Sequence, residues 1–194
     1  MIYFLHGKIY ELSPTHTVID VNGVGYYVGI SLMTSQKLKQ GTNVLLYTQQ
    51  IFREDAVLLY GFYTTTEKEM FNLLISVNGV GAVSALILLS SLDIPEIANA
   101  ILSRNSSLLE KAKGIGKKTA ERIIVDLKDK IQKFADENQN ISSFVDNKIK
   151  NEALIAIEVL GIPRRQGEKI ADKILKENPE LDVETLVKKI LKNI

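Results

Sequence analysis

The sequence predicts an α+β protein of several domains: a small N-terminal β-barrel, a central helical domain and a C-terminal three-helix bundle. Three observations lead to this expectation. Residues 1–63 show the short alternating runs of β-strands, and a helix–turn–helix pattern occurs twice in residues 64–134. Helical periodicity then returns after a polar stretch. A chain of 194 residues accommodates two or three small domains of this kind.

The N-terminal segment, residues 1–63, is predicted to be entirely β. Turn signals such as Asn22-Gly23 and Gln40-Gly41 separate its apolar runs. Several short strands with no helix between them favour a small barrel. Its last turn carries Arg53, Glu54 and Asp55. The predicted strands occupy residues 2–12, 17–32, 43–52 and 56–63.

The central segment, residues 64–134, is predicted to be helical. The spacing Thr66-x-x-Glu69 is typical of a capping box, and Asp93-Ile-Pro-Glu96 indicates another helix start with proline in its first turn. A short helix is predicted at Leu108-Leu109. A longer amphipathic helix is predicted from about Lys117 to about Phe134.

A polar stretch at residues 135–149, rich in Asn, Asp and Ser, interrupts this pattern. It is expected to form a flexible linker, with an irregular loop inside a larger domain as the alternative. Helical periodicity resumes over residues 150–194, where Gly161 stands at the position of a helix-terminating glycine. Three short helices in this segment predict a small bundle.

The central segment contains an internal repeat with an offset of 35 residues. The stretch LLISVNGVGAVSALILL at 73–89 aligns with LLEKAKGIGKKTAERII at 108–124. Gly79 and Gly81 match Gly114 and Gly116, and apolar positions match on both sides. Two helix–turn–helix units of one design are therefore expected side by side.

Each unit has a short helix, a Gly-Val/Ile-Gly turn and a second helix. The glycines permit a positive φ and let an external group approach the backbone. Val80 and Ile115 are expected to insert between the paired helices. The free N–H groups of each second helix then form an anion site. The second turn is surrounded by basic residues: Lys111, Lys113, Lys117, Lys118 and Arg122.

The residues around the turns indicate whether they bind the phosphate of a nucleotide or that of a nucleic acid. A nucleotide-binding P-loop requires G-x-x-x-x-G-K-[ST], but Lys111 stands where the first glycine belongs and Lys118 where Ser or Thr belongs. Two ordinary glycine turns are the structural alternative. Two copies in register, one of them flanked by lysines, favour binding to the phosphates of a nucleic-acid backbone. Such contacts do not depend on the base sequence.

The overall charge is consistent with a local basic surface. The net charge is only +1, distributed as zero over 1–62, +2 over 63–134 and −1 over 135–194. The chain has no cysteine, which excludes disulfides and thiolate metal sites. The N-terminal residues lack the features of a signal peptide, and no apolar window approaches a membrane span. We therefore expect a soluble intracellular protein.

These stretches resemble the RuvA family of bacterial Holliday junction branch migration subunits. The resemblance covers nearly the whole chain except the polar stretch at 135–149, and the C-terminal segment fits in position and length. The most specific matches are IDVNGVGYYV (19–28), REDAVLLYGF (53–62), VNGVG (77–81) and KGIGKKTAERIIVDLKDK (113–130).

The resemblance implies an OB-fold barrel that forms a homotetramer, possibly an octamer on DNA, and a central domain of two helix-hairpin-helix motifs. It further implies a UBA-like C-terminal bundle that binds RuvB, the hexameric ATPase of the system. The chain itself would bind no cofactor, since ATP and Mg would be used by that motor. The DNA partner would be a four-way junction, on which the RuvC nuclease also acts, in the bacterial cytoplasm.

The resemblance also assigns roles to individual residues. Glu54 and Asp55 would form an acidic pin at the junction centre, although a polar hairpin tip is the plain alternative. Ala82 and Val83 depart from the family pattern, in which a basic residue commonly follows the second glycine of the first hairpin. That hairpin is therefore expected to contribute less binding. The side chains suggested for motor contact are Leu154, Ile157, Leu160 and Ile162. The helical spacing of the first three is more typical of core positions, whereas Ile162 follows Gly161 and is expected at the exposed turn.

Two rival functions remain at this stage. A DNA-repair glycosylase or nuclease would need a base or a carboxylate cluster. Asp126 and Asp129 are better explained as a solvated helix face pairing with nearby lysines, and His6 and His16 as surface or structural residues. A generic helix-hairpin-helix adaptor would bind duplex and junction equally, whereas the barrel and its acidic turn favour junction selectivity.

Overall fold

A computed structural model of the protein describes residues 1–178 and 181–193, and for residues 139–148, 165, 176 and 177 it describes the backbone only. The chain forms two compact units. The first unit comprises residues 1–94 and 106–127, and the second comprises residues 95–105 and 128–194.

The N-terminal part of the first unit is a closed five-stranded barrel, as predicted. The strand order is β1-β2-β3-β5-β4. All neighbours are antiparallel except β3 and β5, whose parallel pairing of Gly29 with Tyr60 closes the barrel. The strands are β1 (Phe4–Leu12), β2 (His16–Val21), β3 (Val24–Ile30), β4 (Asn43–Phe52) and β5 (Val57–Phe62).

The barrel is filled by inward side chains that alternate with exposed ones along each strand. Gly61 is required at its position, because an added Cβ would lie 2.6 Å from Cγ1 of Val28. The buried core residues are Leu5, Ile19, Val28, Ile30, Leu46 and Leu59. This small core holds the β4–β5 turn at one end of two paired strands.

A short helix, α1 (Leu32–Ser35), lies between β3 and β4 and corrects the expectation of strands with no helix between them. Ser31 caps it by accepting a hydrogen bond from the Thr34 N–H at 3.0 Å. A single helical turn is too short to show periodicity in the sequence. The cap itself was the available signal.

A buried carboxylate joins this short helix to the central domain. Ser31 donates from its hydroxyl to Glu67 Oε1 at 2.5 Å, and Thr34 donates to Oε2 at 2.6 Å. The Tyr63 N–H donates to the same Oε2 at 3.3 Å. Glu67 is only 5% exposed, so these donors supply the hydrogen bonds that burial requires.

Five helices build the central segment: α2 (Thr65–Ile75), α3 (Ala82–Ser91), α4 (Ile94–Leu102), α5 (Ser106–Leu109) and α6 (Lys117–Glu137). The predicted cap of α2 at Thr66 is wrong. Thr64 is the cap and accepts from the Glu67 N–H at 3.1 Å, while Thr66 lies inside the helix. Three consecutive threonines could each cap the helix. The inward position of Glu67 selects the first.

The C-terminal unit contains α7 (Gln139–Val159), α8 (Arg164–Glu177) and α9 (Val183–Lys192). The expected lapse of helix over residues 135–149 is wrong, because only Asn138 separates α6 from α7. Asn, Asp and Ser weaken a helix, but the stretch contains no Gly or Pro to stop it. Whether the stretch acts as a linker between domains stays a prediction.

The end of α7 has the predicted glycine signal. Gly161 has φ +84°, its N–H donates to Glu158 O, and the Ile162 N–H donates to Ile157 O. This pair of bonds is a Schellman motif. Gly167 lets α8 approach α7 closely, because an added Cβ would overlap the Ile157 side chain.

A partly exposed ion-pair cluster also joins α7 to α8. Lys150 Nζ lies 2.7 Å from Asp172 and 3.1 Å from Glu168. Burial of the amine acts to lower the pKa of Lys150, but the hydrogen bonds to both acids outweigh it and raise the pKa.

No single helix in the described ranges is long and apolar enough to cross a membrane; only the bent pair α3 and α4 meets that test jointly.

Candidate nucleic-acid interface

The two predicted hairpins have the same backbone. The Val80 N–H donates to Val77 O at 3.0 Å, and 35 residues later the Ile115 N–H donates to Ala112 O at 3.0 Å. The next bonds also match, from Ala85 to Gly81 at 3.0 Å and from Ala120 to Gly116 at 2.9 Å. The internal repeat of the sequence is therefore a repeat of hydrogen bonds, as predicted.

The turn glycines adopt the predicted conformation. Gly79 has φ +93° and Gly114 has φ +92°, a region that side chains disfavour. All four turn glycines are exposed, and open space surrounds Gly79, Gly81 and Gly116 where a Cβ would stand. The turns therefore present bare backbone to an approaching group.

The apolar residue between each glycine pair points inward, as expected. Val80 and Ile115 are buried, and so are Val77 and Ala112 one turn earlier. These side chains fix each turn against its helices. The α3 N-cap, Gly81, makes no side-chain capping bond, so the first N–H groups of α3 remain available to an external acceptor.

The two turns differ in charge. The second is surrounded by exposed cations: Lys111, Lys113, Lys117, Lys118 and Arg122. The chain has no Lys, Arg or His between Lys68 and Arg104, a range that includes the whole first turn. At the positions that match Lys117 and Lys118, the first hairpin has Ala82, which is buried, and Val83, which is exposed.

The structure brings one of these cations to the other hairpin. The Arg122 guanidinium donates from Nη1 to the carbonyl of Asn78 at 3.3 Å. The second turn also lies close to α3 of the first hairpin, since a Cβ added at Gly114 would be 3.6 Å from Ser84 Oγ. The sequence repeat predicts neither contact. It shows which positions in the two hairpins are equivalent, but not which surfaces of the two hairpins pack together.

The acidic turn between β4 and β5 is exposed to solvent. The Arg53 N–H donates to Ala56 O at 2.8 Å and closes the β4–β5 connection. Glu54 and Asp55, at its tip, are both exposed. Phe52 and Val57, on the strands beside the tip, expose 70% and 60% of their surface. The pair therefore presents negative charge at this end of the barrel, beside the exposed Arg53 and the two apolar side chains.

Residues considered for catalysis have ordinary surroundings. His16 is bonded to Ser13 at 2.7 Å and Glu11 at 3.2 Å, and its ring stacks on Tyr27. Asp126 and Asp129 are exposed. Within the described ranges, no three His, Cys, Asp or Glu residues are grouped to hold a metal ion.

The C-terminal side chains named from the sequence divide into two sets. Leu154 and Ile157 are fully buried and belong to the core of the bundle, so they are not surface contacts. Leu160 is exposed and Ile162 half-buried. Ile155 and Val159, missed in the sequence, expose 56% and 82% of their surface. The signal was their four-residue spacing on the helix face opposite the core pair.

Comparisons with known proteins cover the whole chain. Residues 1–61 match the family described as RuvA N terminal domain, and residues 71–129 match SAM-like Helix-hairpin-helix tandem. The chain is 48% identical to the Holliday junction branch migration complex subunit RuvA of Flavobacterium psychrophilum and 45% identical to that of Christiangramia forsetii. The RuvA subunit of Bacteroides thetaiotaomicron is 41% identical. Each alignment covers 100% of both chains.

Proposed function

Because the chain belongs to the RuvA family of Holliday junction branch migration complex subunits, we propose that it binds four-way DNA junctions and holds them for a motor subunit. The observation that carries this proposal is the pair of hairpin turns with one backbone geometry, both exposed on the same compact unit. The chemistry of branch migration is assigned to the partner, and this chain is a non-catalytic subunit.

The hairpins bind the DNA backbone. Exposed turn amides offer hydrogen bonds to phosphate oxygens, and the lysines at the second turn add long-range attraction. Such contacts carry no sequence information, which suits a protein that must follow a moving branch point. The strength of binding then depends steeply on salt, because each neutralised phosphate releases counterions.

The acidic turn acts at the centre of the junction. Glu54 and Asp55 repel nearby phosphates, at a cost of about 1 kcal/mol per close pair in water. Repulsion at this one place disfavours a continuous duplex lying across the barrel end. It also keeps separated strands apart where the arms of a junction diverge.

The barrel surface supports assembly into a homotetramer. Large apolar side chains exposed on a barrel favour burial against another copy, and four copies would match the four arms of a junction. A second tetramer on the other face of the DNA would give an octamer. The large apolar side chains exposed on the barrel include Tyr3, Phe4, Tyr10, Tyr27, Phe52 and Val57.

The C-terminal bundle recruits the motor. Ile155 and Val159, one turn apart on α7, and Leu160, the C-cap of that helix, are exposed apolar residues, here called the α7 strip. A partner helix or groove would bury this strip. The partner is a RuvB-type hexameric ATPase, which uses ATP and Mg, while this chain binds no cofactor. A RuvC-type nuclease would act on the same held junction. All of these steps take place on DNA in the bacterial cytoplasm.

A gel-shift titration with a synthetic four-way junction and a duplex of equal length tests the proposal. Salt is fixed and no ATP is added. We expect a strong preference for the junction, in one or two discrete complexes. Equal affinity for both DNAs would reduce the protein to a generic helix-hairpin-helix adaptor, and cleavage or base release would indicate a repair enzyme.

The motor contact needs a separate test. Val159→Asp is expected to abolish stimulation of the RuvB ATPase while leaving junction affinity unchanged. Leu191→Asp, on α9 of the same bundle, is the matched control and should retain stimulation. If the Val159 variant stimulates normally, the α7 strip is not the motor surface.

A further inference from the structure

The first hairpin lacks a cation of its own. Lys68 is the nearest basic residue before it in the sequence, but its amine is 3.7 Å from the centre of the Tyr3 ring and the residue is buried. That burial lowers the pKa of Lys68. The next basic residue in sequence is Arg104, beyond α4. A phosphate at the first turn must therefore find positive charge from elsewhere in the fold.

Arg122 supplies a guanidinium at that place. It lies on α6, the second helix of the second hairpin, yet its Nη1 is 3.3 Å from the carbonyl oxygen of Asn78 in the first turn. The two residues are separated by 44 positions in the chain. The contact therefore depends on the packing of one hairpin against the other.

The bond to Asn78 leaves most of the guanidinium free. Arginine carries five N–H donors in a planar fork, and this contact uses one. The ion pairs found among the described side chains do not involve Arg122, and the residue is exposed. Its remaining donors can reach a phosphate that approaches the first turn, in the geometry arginine favours.

The second hairpin contacts the first through Arg122, but the first has no equivalent residue that could contact the second. The repeat places Ile87 at the position equivalent to Arg122, and Lys113 at the position equivalent to Asn78. An isoleucine has no donor, so the first hairpin cannot return the contact. The second hairpin retains Lys117 and Lys118, while Arg122 is turned to its neighbour.

We propose that Arg122 is the phosphate-binding cation of the first hairpin, supplied across the hairpin–hairpin contact, and that the bond to Asn78 positions it there. This inference rests on the proposed function. It changes the expectation from sequence, in which Arg122 served the second hairpin and the first contributed only backbone amides.

A double-mutant cycle distinguishes the two assignments. Arg122→Gln is combined with a reporter at each hairpin: Val83→Glu at the first and Lys117→Gln/Lys118→Gln at the second. Val83 is 59% exposed, so the new carboxylate repels a phosphate without disturbing the core. Affinity for a four-way junction is measured over a range of salt.

We expect R122Q alone to lower the slope of log affinity against log salt by about 0.9 for each engaged subunit. The combined loss in R122Q/V83E should fall short of the product of the single losses by at least about threefold, because both variants act on the same phosphate. The losses of R122Q and the lysine pair should multiply. R122K, which keeps the charge, should retain the slope.

Three results would overturn the inference: a slope unchanged by R122Q, coupling to the lysine pair, or losses that multiply with both reporters. Lys128→Gln, an exposed cation on the same helix, is the control and should change affinity less than twofold. If the wild-type protein does not prefer the junction, the proposed function itself fails. If it does prefer the junction but the cycle couples Arg122 to Lys117 and Lys118, only this inference fails.

Discussion

The two hairpins have the same backbone and different chemistry. Their turn glycines differ by one degree in φ, and their turn hydrogen bonds match within 0.1 Å. One turn is surrounded by five basic residues and the other has none in its own sequence. The comparison shows that two turns with the same backbone geometry can differ completely in charge.

The backbone comes from small and apolar residues at fixed positions. Val77, Val80 and Ala85 in the first unit match Ala112, Ile115 and Ala120 in the second, and all six are buried. Exposed positions are free of this constraint. The charge can therefore differ between the two hairpins without altering the turn. A cation of the second hairpin can also contact the first, as Arg122 does at Asn78.

The largest effect is expected from the lysine pair. Lys117→Ala/Lys118→Ala should weaken junction and duplex binding about a hundredfold for each engaged subunit, if each charged hydrogen bond contributes about 1.5 kcal/mol. The salt slope should fall by about 1.8 for each engaged subunit. Filter binding or fluorescence anisotropy at several salt concentrations measures both quantities.

Val83→Ala is the matched control for that experiment, because Val83 stands at the position of Lys118 in the repeat. It should leave affinity unchanged. Val83→Lys gives the first hairpin a cation from its own sequence and should steepen the salt slope by about 0.9 for each engaged subunit. A control variant as weak as the lysine variant would show that the hairpins do not differ in the way proposed.

The glycines test the shared geometry. Gly79→Ala and Gly114→Ala should each lower the free energy of unfolding by about 1–2 kcal/mol, because both residues have a left-handed φ. Gly81→Ala is the control, since its φ of −86° suits alanine, and it should cost less than about 0.5 kcal/mol. Urea unfolding measures all three. Unequal costs at Gly79 and Gly114 would contradict the shared geometry.

The acidic turn should act in the opposite sense to both hairpins. Glu54→Gln/Asp55→Asn removes a repulsion of about 1 kcal/mol per close pair, so affinity for plain duplex should rise a few-fold. Junction selectivity should fall correspondingly. Competition between labelled junction and unlabelled duplex measures the ratio. A loss of duplex affinity would argue against the pin.

The smallest effect on DNA binding is expected from the C-terminal unit. The hydrogen bond from the Thr185 N–H to Asp182 lowers the pKa of this helix cap. Its stabilisation is therefore present above the unfolded pKa and is lost as the pH falls through the lower folded value. Asp182→Ala should cost about 1 kcal/mol near pH 7 and less at pH 2, because the carboxylate becomes protonated as the pH falls.

Junction affinity should be unchanged in the Asp182 variant, because both hairpins lie in the other unit. Thermal unfolding at the two pH values measures the stability difference. A cost that is undiminished at pH 2 would mean that the carboxylate is not the stabilising group.

Local patterns predicted much of the fold. The barrel strands, the hairpin glycines and Gly161 follow from alternation, turn chemistry and a repeat, all of which act within a few residues. Two expectations are wrong for different reasons. Three consecutive threonines could each cap α2, and the buried bonds of Glu67 to Ser31 and Thr34 select Thr64 instead of the predicted Thr66. The helical pattern is predicted to lapse over 135–149, but the stretch has no Gly or Pro that would stop a helix.

The sequence by itself determined the two turns, since a positive φ at glycine and bonds three residues apart need no distant partner. Tertiary structure alone decided three other features. Glu67 is bonded to Ser31 and Thr34 across more than thirty residues, Leu154 is core while Ile155 is surface, and Arg122 reaches Asn78 across 44. Periodicity fixes which side of a helix is apolar, but only packing fixes which element that side meets.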